Sequence, residues 1–364
     1  MTTFLCAPNA FKGTLSATDA AAALARGVRD AGHIAIELPV ADGGDGTLDV
    51  LTGNRGRYQE ISVCGPDGKP VLARLGWLDK LAIVELAQAA GLASLAEPNP
   101  MGATTRGVGE LITAALDQGA GEILIAVGGS ATTDGGAGML QALGFSLTDA
   151  AGADIAAGGA GLEQLAHIDA GHADPRLQRA SISVACDVDN PLLGPRGSAH
   201  TFAPQKGAGA DQVERLEAAL GNFARLAAQH LPTANGKAEQ PGAGAAGGTA
   251  FALAAFCGAR LVPGAKLVCD QLDFDKALAQ AGVVLTGEGR LDRQTSGGKA
   301  PLEVARRTRA AGLTCIAVVG SATGDADDSI FDQVVSIEGY PGDSADAVAR
   351  LRSAAQQIAT AYTI

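Results

Sequence analysis

The sequence predicts an α/β protein of two domains: a flavodoxin-like parallel-sheet domain built from both chain ends, and a mixed α/β domain inserted between them. Three observations predict it. Strand, glycine-bearing loop and helix follow one another twice near the N-terminus, the pattern changes to short alternating segments from residue 58, and the strand-loop-helix order returns after Pro263. A chain of 364 residues has room for two domains.

The first unit is an apolar strand over 4–7, a polar loop, and a helix opened by the capping-box pattern Ser16-Ala-Thr-Asp19 and stopped at Gly32. A second strand over 34–40 runs into Asp42-Gly-Gly-Asp-Gly46 and a helix from Thr47. Residues 58–92, turning at Gly65-Pro-Asp-Gly68, read as an antiparallel meander. A helix over 105–116 closed by Gly119, strands over 123–127 and 182–186, and a helix from Asp211 with apolar residues at 213, 216, 220, 223 and 226 follow. After Pro263 come a strand over 283–286, a helix with Pro301 in its first turn and Gly312 beyond its end, and strands over 314–319 and 333–337. Residues 1–57 and 267–364 are therefore expected to form the parallel five-stranded domain and 58–266 the insertion, with ligands bound in the cleft between them.

Composition narrows the function. With 47% hydrophobic and 18% charged residues the chain is globular, not disordered. A formal net charge of −12, without any basic run longer than two residues, argues against nucleic acid as a partner, although a local basic pocket can still draw in a small anion. Six cysteines without a CxxC pair read as buried, reduced thiols. The N-terminus lacks the basic and apolar regions of a signal peptide, and no 18-residue apolar span occurs, so the expected compartment is the cytoplasm with no membrane partner.

The glycines cluster where strands end, and those loops carry the candidate chemistry. Neither GxxxxGK[ST] nor a GxGxxG fingerprint placed for a dinucleotide is present. Lys12, in Asn9-Ala-Phe-Lys-Gly-Thr14, is either an anion contact before a helix N-terminus or a solvated loop lysine. Asp42 and Asp45, three apart on a glycine-flexed loop, suit cation binding or base chemistry, with Asp45 equally readable as a helix N-cap. Gly128-Gly-Ser-Ala-Thr-Thr-Asp-Gly-Gly-Ala-Gly138 has more glycine than a tight turn needs. Its Gly128 and Gly129 amides and the Ser130 and Thr132 hydroxyls suit phosphate oxygens, and Asp134 suits a cation.

Asp187 and Asp189 follow an apolar strand, with Lys206 fifteen or so residues on as a counter-charge; an Asx turn into Pro191 explains the same acids. Residues 241–248 are either an anion nest or close packing through Gly and Ala. The loop from Gly287 combines Glu288 and Asp292 with Arg290 and Lys299, a mixture hard to ascribe to solubility. The five histidines show no metal-ligand spacing, and no GxSxG serine is present, which leaves zinc-hydrolase and Ser-His-Asp readings unsupported.

Taken together, APNAFKGTLSA (7–17), PVADGGDGT (39–47), GVGELI (107–112), GGSATTDGGAG (128–138), CDVDNPLLG (186–194), PQKGA (204–208), PGAGAAGG (241–248) and TGEGRLDRQTSGGK (286–299) resemble the bacterial type II glycerate kinase family, in order and over nearly the whole chain. Thr133 stands where the family pattern usually has Asn, and Ala10 where Ser is frequent. The resemblance implies ATP-dependent, Mg2+-requiring phosphorylation of D-glycerate, with 2-phosphoglycerate as the preferred product over 3-phosphoglycerate. The residue roles are read from the loops themselves and not carried over from the family: Asp42 or Asp187 is expected to orient the accepting hydroxyl, with Lys12 as a catalytic cation. Gly128, Gly129, Ser130, Thr132, Gly287 and Lys299 hold the nucleotide, and Asp45, Lys206 and Arg290 hold the substrate. Asp134, Asp189, Glu288 and Asp292 serve the metal. A homodimer is compatible with the sequence. A metal-dependent phosphatase or isomerase of a small phosphorylated acid would use the same loops without needing ATP, and a small-anion binding protein is the reading without catalysis.

Overall fold

The computed structural model describes residues 1–53, 55–291, 300–322, 329–337 and 343–362. In chain order the N-terminal elements are β1 (Thr3–Cys6), α1 (Ala17–Asp30), β2 (Ile34–Glu37) and α2 (Thr47–Thr52). Then come β3 (Arg57–Cys64), β4 (Pro70–Leu78), β5 (Leu81–Glu85), α3 (Leu86–Ala90), α4 (Arg106–Asp117), β6 (Glu122–Ala126), α5 (Ala137–Ala142), β7 (Ser146–Thr148), β8 (His167–Asp169) and β9 (Ser181–Ala185). α6 (Ser198–Phe202), α7 (Ala210–His230), α8 (Thr249–Phe256), β10 (Arg260–Val262), α9 (Gly264–Gln271), α10 (Phe274–Leu278) and β11 (Val283–Thr286) follow. The C-terminal part holds β12 (Arg290–Leu291), α11 (Ala300–Ala310), β13 (Thr314–Val319), β14 (Ser321–Ala322), β15 (Gln333–Ser336) and α12 (Ser344–Thr360).

These elements form two compact units, Met1–Asp42 with Asp49–Leu51 and Pro263–Ile364, and Gly43–Leu48 with Thr52–Val262. The chain leaves the first unit after Asp42, returns to it for Asp49–Leu51, and comes back finally after Val262, whereas the expected boundaries lay at 57/58 and 266/267. Local bonding explains the earlier crossing. The Gly128 amide donates to the Gly43 carbonyl at 3.1 Å and the Leu48 amide to Glu85 Oε2 at 2.9 Å, which fastens this loop to the second unit.

In the first unit five parallel strands run in the order β15-β13-β11-β1-β2, which by chain position is the flavodoxin-type order 2-1-3-4-5. Apolar runs buried on both faces make β1, β11 and β13 central strands. The core is Phe4, Leu24, Val28, Leu285, Val318 and Leu351 with their neighbours. α1 starts where expected: Ser16 Oγ accepts the Asp19 amide at 3.0 Å and donates to Asp19 Oδ2 at 2.7 Å.

α1 packs closely on α12 at Gly27, where a Cβ would run into the Arg352 carbonyl oxygen and stand 2.9 Å from Ala355 Cβ. Helix propensity alone makes Gly→Ala worth about 1 kcal/mol of gain. Overpacking of a fixed helix pair costs about 1–3 kcal/mol, so Gly27→Ala is expected to lower stability, read as a reduced denaturant midpoint.

In the second unit the sheet order is β10-β9-β6-β5-β4-β3. β3, β4 and β5 are antiparallel, as the meander predicts, and β5, β6, β9 and β10 are parallel. Register aligns Glu85, Ala126, Ala185 and Val262 in one row, so the loops after β5, β6 and β9 leave the sheet at one edge. α4, α5, α7 and α8 contribute to the core around Ile112, Leu140, Phe223 and Phe251. All six cysteines are free, five of them buried, and burial pushes the Cys186 thiol up to about 11. Among the described residues no helix is long and apolar enough to cross a membrane.

Candidate active site

In the first unit the carboxyl ends of β1 and β11 bring one group of polar residues together. The Asn9 amide donates to the Gly287 carbonyl at 2.8 Å, and Thr286 Oγ1 donates to the Ala7 carbonyl at 2.9 Å, so the two loops leave the sheet tied to each other. Asn9 is buried; its side-chain carbonyl accepts the Ala10 amide at 2.8 Å, and its Nδ2 donates to Asp42 Oδ2 at 3.3 Å. Asp42 is half-buried, while Lys12 is exposed on the tight turn between Phe11 and Leu15, where Gly13 takes a φ of 78°.

Close packing requires glycine at 287, because a Cβ there would overlap the Val318 carbonyl oxygen of β13. Glu288 is buried one residue on, its carbonyl accepting the Gly320 amide at 3.1 Å, and exposed Arg290 opens β12. Asp292 and Lys299 lie outside the described residues.

In the second unit the Gly43–Thr47 loop sits on the carboxyl ends of β5, β6 and β9. Gly43 has a φ of 84° and would place a Cβ 2.8 Å from Ala185, while Gly128 would place one against Gly44 Cα; only glycines let these backbones approach. Asp45 is exposed on this loop. It does not cap α2, since the helix begins at Thr47 and Gly46 intervenes.

The Gly128–Gly138 loop follows β6. Gly128, Gly129 and Ser130 are its accessible part, whereas residues 131–138 are all buried. Thr132 therefore does not present its hydroxyl to a ligand as expected: both Thr132 Oγ1 and Thr133 Oγ1 are buried without a partner among the described residues. Lys206, from the turn before α7, is 2% exposed and donates its Nζ to Ser130 Oγ at 2.8 Å and to the Thr132 carbonyl at 2.6 Å. The expected substrate cation is thus a buried brace of the loop. Burial pushes its ammonium down to about 7 against the upward pull of the Asp134 charge.

Asp134 also departs from its expected role as a metal ligand. It is fully buried, with Oδ2 accepting the Thr105 amide (2.9 Å), Thr105 Oγ1 (2.8 Å) and the Gly138 amide (3.2 Å), and Oδ1 accepting the Gly136 amide at 3.0 Å. Thr105 Oγ1 in turn accepts the Met139 amide at 3.0 Å, so one carboxylate binds the start of α4 to the start of α5. Burial raises its carboxyl above the ordinary value despite these donors.

After β9, Asp187 is half-buried, and Asp189 is exposed and ion-paired with Arg196 at 2.6 Å. The 241–248 glycines are explained by packing: Cβ atoms at 244, 247 and 248 would meet Pro191, Thr132 and Leu192. Two residues escaped the sequence reading. Asn9 was only part of a motif centred on Lys12, and Glu85 was hidden in an apolar run, where a lone acid was its one signal. Glu85 is fully buried at the end of β5 and accepts the Leu48 amide.

Glycine-rich loops, a braced serine and acids at the carboxyl ends of parallel strands suit the transfer of a small anionic group. The comparisons agree. The family model described as the glycerate kinase family matches residues 4–363. The chain is 44% identical over 329 residues to the glycerate kinase of Bacillus subtilis strain 168, covering 88% of this chain and 86% of that one. It is 40% identical over 347 residues to the glycerate 2-kinase of Escherichia coli K12, covering 91% and 90%. A crystal structure from Salmonella typhimurium LT2, described as a candidate glycerate kinase 2, superposes with a TM-score of 0.88 at 41% identity, covering 99% of this chain and 98% of that one. Matched by the family model along almost its full length and 40–44% identical to these relatives, the chain belongs to the glycerate kinase family.

Proposed function

We propose that this protein transfers the γ-phosphoryl group of ATP to the C2 hydroxyl of D-glycerate, releasing ADP and 2-phosphoglycerate. The observation that supports it most is the Gly128–Ser130 loop, held at the carboxyl end of β6 by Lys206 and offering backbone amides and a hydroxyl to phosphate oxygens. The glycerate oxygen attacks the γ-phosphorus as its bond to the ADP oxygen breaks, and the hydroxyl proton passes to Asp42, which Asn9 orients. Lys12 and Arg290 face the substrate carboxylate and the phosphates, Asp45 the glycerate hydroxyls, and Asp187 is the other acid able to orient the accepting oxygen. Lys299 is retained as a nucleotide contact.

Mg2+ is the proposed metal, and when bound it would offset the negative charge of the phosphates during transfer. Among the described residues no group of three His, Cys, Asp or Glu side chains could hold a metal ion. Mg2+ is often held by one or two carboxylates plus phosphates and water, and the acids we assign to it are Glu288, which is buried, and Asp292, which lies outside the described residues; Asp134 is bonded to backbone amides and Thr105, and Asp189 is paired with Arg196.

The test is a coupled assay with ATP, Mg2+ and D-glycerate that resolves the product. ADP release tied to 2-phosphoglycerate is expected, and Asp42→Asn is expected to lower kcat by about 10²–10⁴-fold. 3-Phosphoglycerate would keep the kinase and move the accepting hydroxyl. Absence of ADP release would overturn the reading.

A further inference from the structure

Glu85 closes β5 opposite Ala126 of β6 and is 0% exposed. Its Oε2 accepts the Leu48 amide at 2.9 Å, the Gly46 amide also bonds to the carboxylate, and Oε1 accepts Gln88 Nε2 at 3.3 Å. Gln88 Oε1 accepts Arg74 Nε at 3.3 Å, so Arg74 reaches the acid through an intervening amide. Asp45 is the neighbouring charge. Burying an acid this fully costs several kcal/mol unless hydrogen bonds compensate, and two of its bonds come from backbone amides on either side of Thr47. A neutral acceptor would have filled the same space without a carboxylate set near Asp45.

We propose that Glu85 is a positioning residue for phosphoryl transfer: through the Gly46 and Leu48 amides it fixes the Gly43–Leu48 loop and so places Asp45 against the substrate. This rests on the reading of Asp45 as a substrate contact. Burial first, and then the Asp45 charge, push the Glu85 carboxyl up to about 7 against the pull of the two amides. When Glu85 takes up a proton it loses the charge that holds those amides, and the loop loosens. The expected signature is an acid limb in kcat/KM near pH 7.

The experiment compares wild type, Glu85→Gln and Glu85→Ala by pH-rate profiles and by hydrogen exchange of backbone amides over residues 43–51. Glu85→Gln, which keeps an acceptor and the shape, is expected to fold normally, lose about tenfold in kcat above pH 8 and lose the acid limb. Glu85→Ala is expected to lose about 10²-fold in kcat and to exchange faster over 43–51. Should the alanine variant not fold, the glutamine profile alone decides. A glutamine variant with wild-type kcat and an unchanged acid limb overturns the proposal, as does an alanine variant with unchanged exchange. Faster exchange in an alanine variant of a protein that never phosphorylates glycerate would retain the loop-fixing role and reject the kinase reading.

Discussion

Lys206→Met is expected to lower kcat/KM for glycerate by about 10²-fold while the protein still folds. The side chain is buried, and methionine has a similar reach, so no large cavity results. What disappears is the pair of bonds to Ser130 Oγ and the Thr132 carbonyl, which fix the exposed tip of the Gly128–Gly138 loop. Leaving those acceptors unpaired costs about 1–3 kcal/mol. Part of that is offset because methionine carries no charge to desolvate.

The sign of the pH dependence follows from the depressed Lys206 value. Its ordinary pKa is 10.5 and the folded value about 7, so between these limits the unfolded chain binds more protons than the folded one. Stability from this group therefore rises as pH rises from about 7 toward 10.5, and is lowest below 7. Wild type should thus gain on Lys206→Met as the buffer is taken from pH 6.5 to pH 9.5, read as the difference in denaturant midpoints. Both hydrogen bonds survive deprotonation, since a neutral amine keeps two N–H donors. A variant with wild-type kinetics would show that the loop does not depend on this brace.

Much of the fold was legible because local signals agreed with the tertiary solution. Ser16 and Asp19 cap α1, Gly119 and Gly312 take positive φ just past α4 and α11, and β11 and β13 are short runs, apolar but for one terminal threonine each, that suit central strands. The site was legible as loops and less so as side chains. Which donors fill an acid is a long-range fact: Asp134 meets Thr105 across 29 residues, and Lys206 meets Ser130 across 76. A Gly-rich loop with an aspartate looks the same in sequence whether the carboxylate faces a cation or two helix starts. Glu85 was invisible for the opposite reason. Besides Gln88, its partners are backbone amides at 46 and 48, which no side-chain pattern announces.

Asp134 offers the sharpest separation of the two roles its loop suggested. If it were a metal ligand, Asp134→Asn would raise the Mg2+ concentration needed for half-maximal rate and leave the thermal midpoint almost unchanged. The bonds it makes predict the reverse. Asp134→Ala strands two amides of the α5 start, the Thr105 amide and the Thr105 hydroxyl in the interior, at a cost of about 3–5 kcal/mol, enough to unfold a marginal domain. Asp134→Asn keeps one acceptor oxygen but turns an NH2 group toward backbone N–H donors, and about 2–3 kcal/mol of loss is expected, seen as a lowered midpoint with the Mg2+ dependence of the remaining activity intact. The pH dependence has a definite sign here too. Burial raises the folded carboxyl above 3.8, so in the window just above that value the folded state holds more protons and wild-type stability falls as pH rises. Asparagine cannot titrate, so the variant's deficit should be largest near pH 4 and shrink to a constant above the folded value. A deficit that instead grew with pH, or a shifted Mg2+ requirement at an unchanged midpoint, would return Asp134 to the metal.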